Sequence, residues 1–372
     1  MIEILRLRRI VVALVLAFAG STLAADPPAE PAPAPAANPI AELPKKIAVG
    51  TNGLFQPGLL LQGWFVFDQT DVPANTFRIR RAEVSAKGEI VPGMVGYNVM
   101  FDPSRVREPT NTTLTDSNGD TVTVKTFPGA ASAFQDVYLT FLSPVADVSV
   151  GQFKIPVSWE GFNSSAKLIL PERSLVGVAY GDKRDIGIRV TKTFKNWMYS
   201  AGVFNGAVSN NLDTNNSKDL GLRLEVYPIE GLTLAGVGYA SIGERLAPTT
   251  RDRWEFDARY ERGPLLFQSE YIHAYDGGGA GRVEAQGFYG VFAYLVTDKI
   301  QPVIRVGYLD PNVARDLDPV ADKGADEGWE FNAGVNYYLQ KHEAKLQLAY
   351  QRVQYDVKTP LNEVILAAQV WF

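Results

Sequence analysis

The sequence predicts an all-β chain, a sixteen-stranded antiparallel transmembrane β-barrel over residues 55–372. Three observations predict it. Apolar and polar residues alternate through segments of about ten residues. The connections between those segments alternate between tight turns and long polar loops. The chain also ends on an alternating apolar strand closed by Phe372. From Leu54 onward no window sustains a helical apolar period, and none approaches the ~20 uncharged residues a membrane-crossing helix requires.

The first element is an export leader. Arg6, Arg8 and Arg9 precede an apolar run over 10–20, and small residues follow at Thr22 and Ala24. This is the pattern of a secretory signal, expected over 1–24 with cleavage after Ala24. Residues 25–54 are expected to form a periplasmic lead-in. Pro27, Pro28, Pro31, Pro33, Pro35, Pro39 and Pro44, set among alanines, favour extended conformers and cannot build a core. Loss of the leader removes three Arg and one Glu and moves the formal charge from −5 to −7, which argues against nucleic-acid binding. The chain has no cysteine although export takes it where disulfides form. Thiol catalysis, thiolate metal sites and a cysteine-linked lipid anchor are thereby excluded.

The strands follow from period-two alternation. Leu220, Leu222, Leu224 and Val226 alternate with Asp219, Gly221, Arg223 and Glu225, and Trp254, Phe256, Ala258 and Tyr260 with Arg253, Glu255, Asp257 and Arg259. The same reading places strands at 55–68, 76–90, 94–102, 134–143, 147–154, 184–194, 197–206, 218–227, 231–242, 252–262, 265–275, 283–296, 300–309, 327–339, 343–355 and 362–372. Alternation alone also suits a soluble sandwich with one wet face. The connections select the barrel. Turns such as Val91-Pro92-Gly93, Lys195-Asn196 and Gly263-Pro264 alternate with long loops over 103–133, 155–183, 207–217 and 310–326. With an even strand count, that sorting puts both termini on the short-turn, periplasmic side. Closure also pairs every backbone polar group, as lipid demands.

Val364, Leu366, Ala368, Val370 and the terminal Phe372 form a last strand that looks like the signal read by the outer-membrane assembly machinery. Trp64, Phe65, Phe67, Trp197, Tyr199, Trp254, Tyr260, Trp329, Tyr337 and Trp371 lie near strand ends, where aromatic girdles meet the membrane interfaces.

No catalytic constellation is present. His273 and His342 are the only histidines and are far apart in sequence, so neither a triad nor a zinc site follows. A barrel enzyme such as a lipid hydrolase would need a serine, a base and an orienting group on the lipid-facing wall, and no histidine suits that role. The run Gly277-Gly278-Gly279-Ala280-Gly281 joins two strands and is a loop, not a phosphate cradle. Asp310, Asp316, Asp318, Asp322 and Asp326 match no calcium-loop spacing and are diluted by Arg315 and Lys323. No cofactor or metal is expected.

Three stretches remain informative: Phe77-Arg78-Ile79-Arg80-Arg81-Ala82-Glu83-Val84, Tyr97-Asn98-Val99-Met100-Phe101-Asp102, and the segment 150–185 with Gly151-Gln152-Phe153-Lys154-Ile155-Pro156, Ser164-Ser165-Ala166-Lys167 and Pro171-Glu172-Arg173. In these the chain resembles the phosphate-selective porins, the outer-membrane family that includes the phosphate and polyphosphate porins. The resemblance implies a barrel, usually a homotrimer among outer-membrane lipid and lipopolysaccharide, whose third long loop, here 155–183, folds inward as a constriction loop. It implies passive diffusion of small inorganic anions, phosphate or polyphosphate, with no turnover. Ser164, Ser165, Lys167 and Arg173 match the family's anion-binding constriction residues. Arg80 and Arg81 match its paired arginines, Arg223 a pore-lining arginine, and Asp136 a carboxylate beside the site. Gly161 stands where a family lysine aligns, and one extra residue separates Ser165 from Arg173, so general diffusion without phosphate preference is the alternative. Periodicity puts Arg189, Arg223, Arg259, Arg305 and Lys345 on the lumen face together with Glu225, Glu255, Asp257, Glu270 and Glu330. For a lone wall arginine a cross-strand salt bridge is at least as good a reading as an ion contact.

Overall fold

The computed structural model describes residues 47–49, 53–69, 74–106, 110–115, 121–126, 130–243, 250–277, 281–313 and 326–372. The expected leader and nearly all of the lead-in lie outside the described residues. The barrel strands are β1 Gly53–Asp68, β2 Ala74–Val91, β3 Val95–Phe101, β4 Phe134–Phe141, β5 Asp147–Lys154, β6 Arg184–Thr193, β7 Trp197–Phe204 and β8 Lys218–Val226, then β9 Leu232–Ile242, β10 Arg251–Arg262, β11 Leu265–Asp276, β12 Val283–Tyr294, β13 Ile300–Asp310, β14 Gly328–Gln340, β15 Ala344–Tyr355 and β16 Leu361–Trp371. Each pairs antiparallel with its sequence neighbours, and β16 closes on β1 from Glu363 opposite Asp68 to Trp371 opposite Leu60. The closing seam runs to the last residue, where Phe372 and Leu59 exchange two backbone hydrogen bonds of 3.1 Å. Among the described residues no helix is long and apolar enough to cross a membrane.

Side-chain sorting is inverted relative to a water-soluble sheet. On β8 the outward Leu220, Leu222, Leu224 and Val226 are exposed, while the inward Asp219, Arg223 and Glu225 are buried. Lipid takes the apolar face, so polar residues must be satisfied inside. Two outward aromatic groups mark the interfaces. Phe194, Trp197 and Tyr199 stack at the short-turn end, and Trp254, Tyr271 and His273 pack together toward the long-loop end. Trp64 and Trp371 depart from the girdle expectation. Trp64 points inward, buried with Val66, Ile365 and Ala367, and Trp371 lines a lumen cavity. Both share strand parity with Gln62 and Gln369, which bond across the seam inside the barrel. Short turns use the expected chemistry. Gly231 sits at φ 83°, where a Cβ would lie 2.4 Å from the Glu261 carbonyl oxygen.

The main apolar cluster lies inside the barrel, between the segment 155–183 and the wall. Ile155, Val157, Leu170, Val176 and Tyr180 of the segment join Phe204, Tyr239 and Ile272 of the wall. Another long connection carries a hairpin of its own, Thr110–Thr115 paired with Thr121–Thr126.

Candidate functional site

Serines start each short helical piece of the segment 155–183. Ser158 precedes helix α1, Trp159–Phe162, Ser164 precedes a 3-10 turn at Ser165–Lys167, and Ser174 precedes helix α2, Leu175–Ala179; each accepts a backbone N–H through its hydroxyl. Serine suits these positions because it satisfies donors that the new helix leaves open. The wall then docks both helix starts with carboxylates. Glu255 accepts from the Ser158 N–H (2.7 Å), and Glu270 accepts from the Ser158 hydroxyl (3.1 Å) and the Trp159 N–H (3.0 Å). Glu330 accepts from the Leu175 N–H at 3.2 Å.

The β13–β16 wall holds the rest of the segment through its carbonyls. Arg305 donates to the carbonyls of Glu172 (2.9 Å) and Arg173 (3.0 Å). Asn336 and Gln347 donate to that of Ile169, Lys345 to those of Leu168 (2.6 Å) and Ala166 (3.2 Å), and Gln369 to Ala166 as well. The segment is therefore fixed against one side of the lumen. A cavity of about 520 Å³ lies on the other side, lined by Glu83, Ser85, Lys87, Asn98, Tyr138 and Ser164 among others.

On that open side β2 carries a bulge. Gln62 of β1 faces Arg81 while Gly63 faces Ile79, so Arg80 is an extra residue in the ladder. The bulge changes the phase of the strand: Phe77 and Ile79 point out before it and Val84 points out after it, which keeps Arg78, Arg80 and Arg81 all inside. An arginine on the lipid face near mid-membrane would cost about 2–4 kcal/mol. Arg80 donates from Nε to Glu172 at 2.7 Å and lies over the Trp64 ring at 5.5 Å. Arg81 donates to Gln62 at 2.6 Å and pairs with Glu172 at 3.5 Å. Burial alone would raise the Glu172 carboxyl, but the Arg81 and Arg80 guanidiniums outweigh it and hold the group down at about 2.

A second carboxylate gathers more. Among the described residues four cations lie within 4 Å of Asp182: Arg105 and Arg184 at 3.1 Å, Lys154 and Arg173 at 3.3 Å. Burial opposes ionisation of Asp182, yet Lys154, Arg173, Arg184 and Arg105 together keep it well below the usual carboxylate range. Its position is set by backbone contact. Asp182 has φ 51°, and a Cβ on Gly161 would lie 2.3 Å from its nitrogen. Position 161 touches the far end of its own loop and has no room for a side chain.

The sequence-derived residues divide accordingly. Arg173 is buried, with its guanidinium shared among Asp182, the Glu160 carbonyl (3.0 Å) and the Ser165 hydroxyl (2.8 Å). Ser164 lines the open cavity, and Lys167 is exposed, with no described residue pairing with its ammonium. Asp136 accepts from Arg184 at 2.7 Å and so joins the Asp182 cluster. Arg223 does not. It is buried beneath the segment, where Glu225 and Asp257 approach at 2.7 Å, the latter off-axis for a hydrogen bond, and Glu255 at 3.4 Å. That is the wall salt bridge weighed for a lone arginine. Arg105, Lys154, Asp182 and Arg184 were not singled out as site residues, although the run Asp182-Lys183-Arg184-Asp185 at the end of a long loop is a visible charge signal.

A closed sixteen-stranded barrel with polar residues inside and an apolar outer wall is the architecture of an outer-membrane β-barrel protein. The chain belongs to the phosphate-selective porin O and P family, whose model matches residues 62–252, just over half of its length. Comparison with curated proteins gives no match. Among solved structures it is similar to the outer-membrane channel DcaP of Acinetobacter baumannii, at TM-score 0.61 and 12% identity over 88% of this chain and 99% of that one. It is also similar to a loop-deletion mutant of OmpT, an outer membrane protein of Vibrio cholerae, at TM-score 0.57 and 14% identity over 86% and 99%. A third likeness is to an anion-selective porin from Comamonas acidovorans, at TM-score 0.55 and 12% identity over 86% and 100%. At such identities the likeness concerns the fold alone.

Proposed function

We propose that this porin is a passive pore for small anions, phosphate-class oxyanions among them, with its constriction at the loop 155–183. The observation that carries the reading is how lumen charge is sorted. Glu225, Glu255, Asp257, Glu270 and Glu330 are at most 8% exposed. Lys167 and Arg105 are exposed, and four cations of the described residues converge on Asp182. Guanidinium and ammonium groups replace part of an oxyanion's hydration shell, so a passage faced by them admits anions at lower cost than cations. Lys167 and Ser164 supply accessible contacts. Arg80, Arg81 and Arg173 supply charge from positions fixed by Glu172 and Asp182. Diffusion without phosphate preference is the second reading, favoured by the mutual engagement of Arg173 and Ser165.

On this reading residues 1–24 are cleaved, 25–54 form a periplasmic lead-in, both termini are periplasmic, Phe372 serves barrel assembly, and three copies associate in the outer membrane. The chain conducts and does not catalyse. In planar bilayers the purified protein is expected to give stepwise conductance with an anion-biased reversal potential in a salt gradient, and added phosphate should lower the chloride current. A cation-biased potential overturns the anion reading. An unaltered chloride current leaves only general diffusion.

A further inference from the structure

We infer that the Asp182 carboxylate is a tethered counter-anion occupying an oxyanion site built by Arg105, Lys154, Arg173 and Arg184, so that Asp182 sets how tightly the pore holds a passing phosphate-class anion. The inference rests on the anion-pore reading. The four cations come from separate parts of the chain: Arg105 from the turn Pro103–Val106, Lys154 from the end of β5, Arg173 from the loop, and Arg184 from the start of β6. Like charges do not converge without an anion to hold them.

Asp182 provides that anion with two oxygens. Oδ1 takes Lys154 and Arg184, and Oδ2 takes Arg105 and Arg173. Two oxygens splayed among four donors is also how a bound phosphate would be held. The other acids touching these cations are Asp136 on Arg184 and, at 3.9 Å, Asp102 on Arg105, with Glu83 facing them from β2. Three of the cations are spoken for elsewhere and held rigid. Lys154 donates to the Gly161 and Asn163 carbonyls, Arg173 to Glu160 and Ser165, and Arg184 to Asp136. Arg105 is 42% exposed and gives the cluster its accessible side. An oxyanion reaching Arg105 competes with Asp182 for donors already in place, and the neighbouring carboxylate repels it. The site is thus built for attraction and tuned toward release, which a conducting pore needs.

Asp182→Asn tests this directly. Asparagine tolerates the left-handed backbone as aspartate does, so the substitution removes the charge and keeps the loop neck. The readout is the concentration of inorganic phosphate that half-blocks chloride current, with single-channel dwell times. It is expected to fall about tenfold, from the loss of one charge at ~6 Å in a medium between water and protein interior, with longer phosphate dwells. Arg105→Ala, outside the loop and exposed, should raise the half-blocking concentration. An Asp182→Asn pore that blocks as wild type does, or that gains conductance and loses block, overturns the inference; the latter would make Asp182 a structural tie only. If Asp182→Asn does not assemble, an unchanged block in Arg105→Ala overturns it. Anion bias in wild type with both variants unchanged defeats this inference alone, whereas cation bias in wild type defeats the pore reading beneath it.

Discussion

The two sides of the lumen are built from the same residue types and use them in opposite ways. Under the loop, Glu225, Glu255 and Asp257 surround Arg223, and Glu160 and Glu330 flank Arg305. Carboxylates outnumber cations there; Glu255 and Glu330 also receive N–H groups of the loop, and the neighbouring Glu270 receives the Ser158 hydroxyl. On the open side the proportion reverses: among the described residues Arg80, Arg81, Arg105, Lys154, Arg173 and Arg184 meet Glu172, Asp182, Asp136 and Asp102. A charge tally along the wall therefore says little about selectivity. The wall acids that seemed to dilute an anion pore hold the loop in place, and burial removes them from the solute's path.

The sealed side should give the largest effect when broken. Arg223→Ala leaves Glu225, Glu255 and Asp257 buried without their common cation, a loss of about 3–5 kcal/mol. The folded form on a heat-modifiability gel is then expected to convert to the unfolded mobility at a clearly lower temperature than wild type. Wild-type behaviour would mean that these acids do not depend on Arg223.

A smaller effect separates the two sides by function. One ammonium at ~6 Å in water attracts an anion and repels a cation by on the order of 0.7 kcal/mol each, so Lys167→Gln should cut the anion-to-cation permeability ratio about tenfold. Glu270→Gln, a neutralisation on the sealed side, should leave the reversal potential where it is. Equal shifts of opposite sign in the two variants would erase the distinction between the faces.

The strands were legible because two solvents enforce them. Lipid outside and polar lumen inside impose a period of two, and β5 and β16 fall within a residue of the ranges read from alternation. The bulge at Arg80 was legible in principle. The apolar positions switch from Phe77 and Ile79 to Ala82 and Val84, a change of parity that two adjacent arginines can satisfy only with an added residue. Trp64 misled because residue type suggested a girdle, whereas its parity matched Gln62 and the lumen. The loop's helices are too short for periodicity, although the serines that cap them were visible. Asp182 could not be read as a hub, since its partners Arg105, Lys154 and Arg173 converge only when the loop folds back across Gly161.

The smallest expected effect concerns the tie between loop and wall on the open side. Glu172 is held down from 4.5 to about 2 by Arg81 and Arg80 against the opposing effect of burial. A carboxylate whose folded value is depressed contributes stability that is fully present above the unfolded value and fades as pH falls through the folded one. The tie is therefore complete from neutral pH down to about 4.5 and is lost on approach to about 2. Reversal potentials measured across that range should show no step from Glu172 between pH 7 and pH 4.5. Glu172→Gln mimics the acid state at neutral pH. It removes one negative charge from a face that already carries surplus cations, so its anion preference at pH 7 should exceed that of wild type. The two proteins should converge as wild type nears pH 2. A wild-type step near pH 4.5 that disappears in Glu172→Gln would show that the arginines do not depress the carboxyl, and that the open face is less basic than its geometry implies.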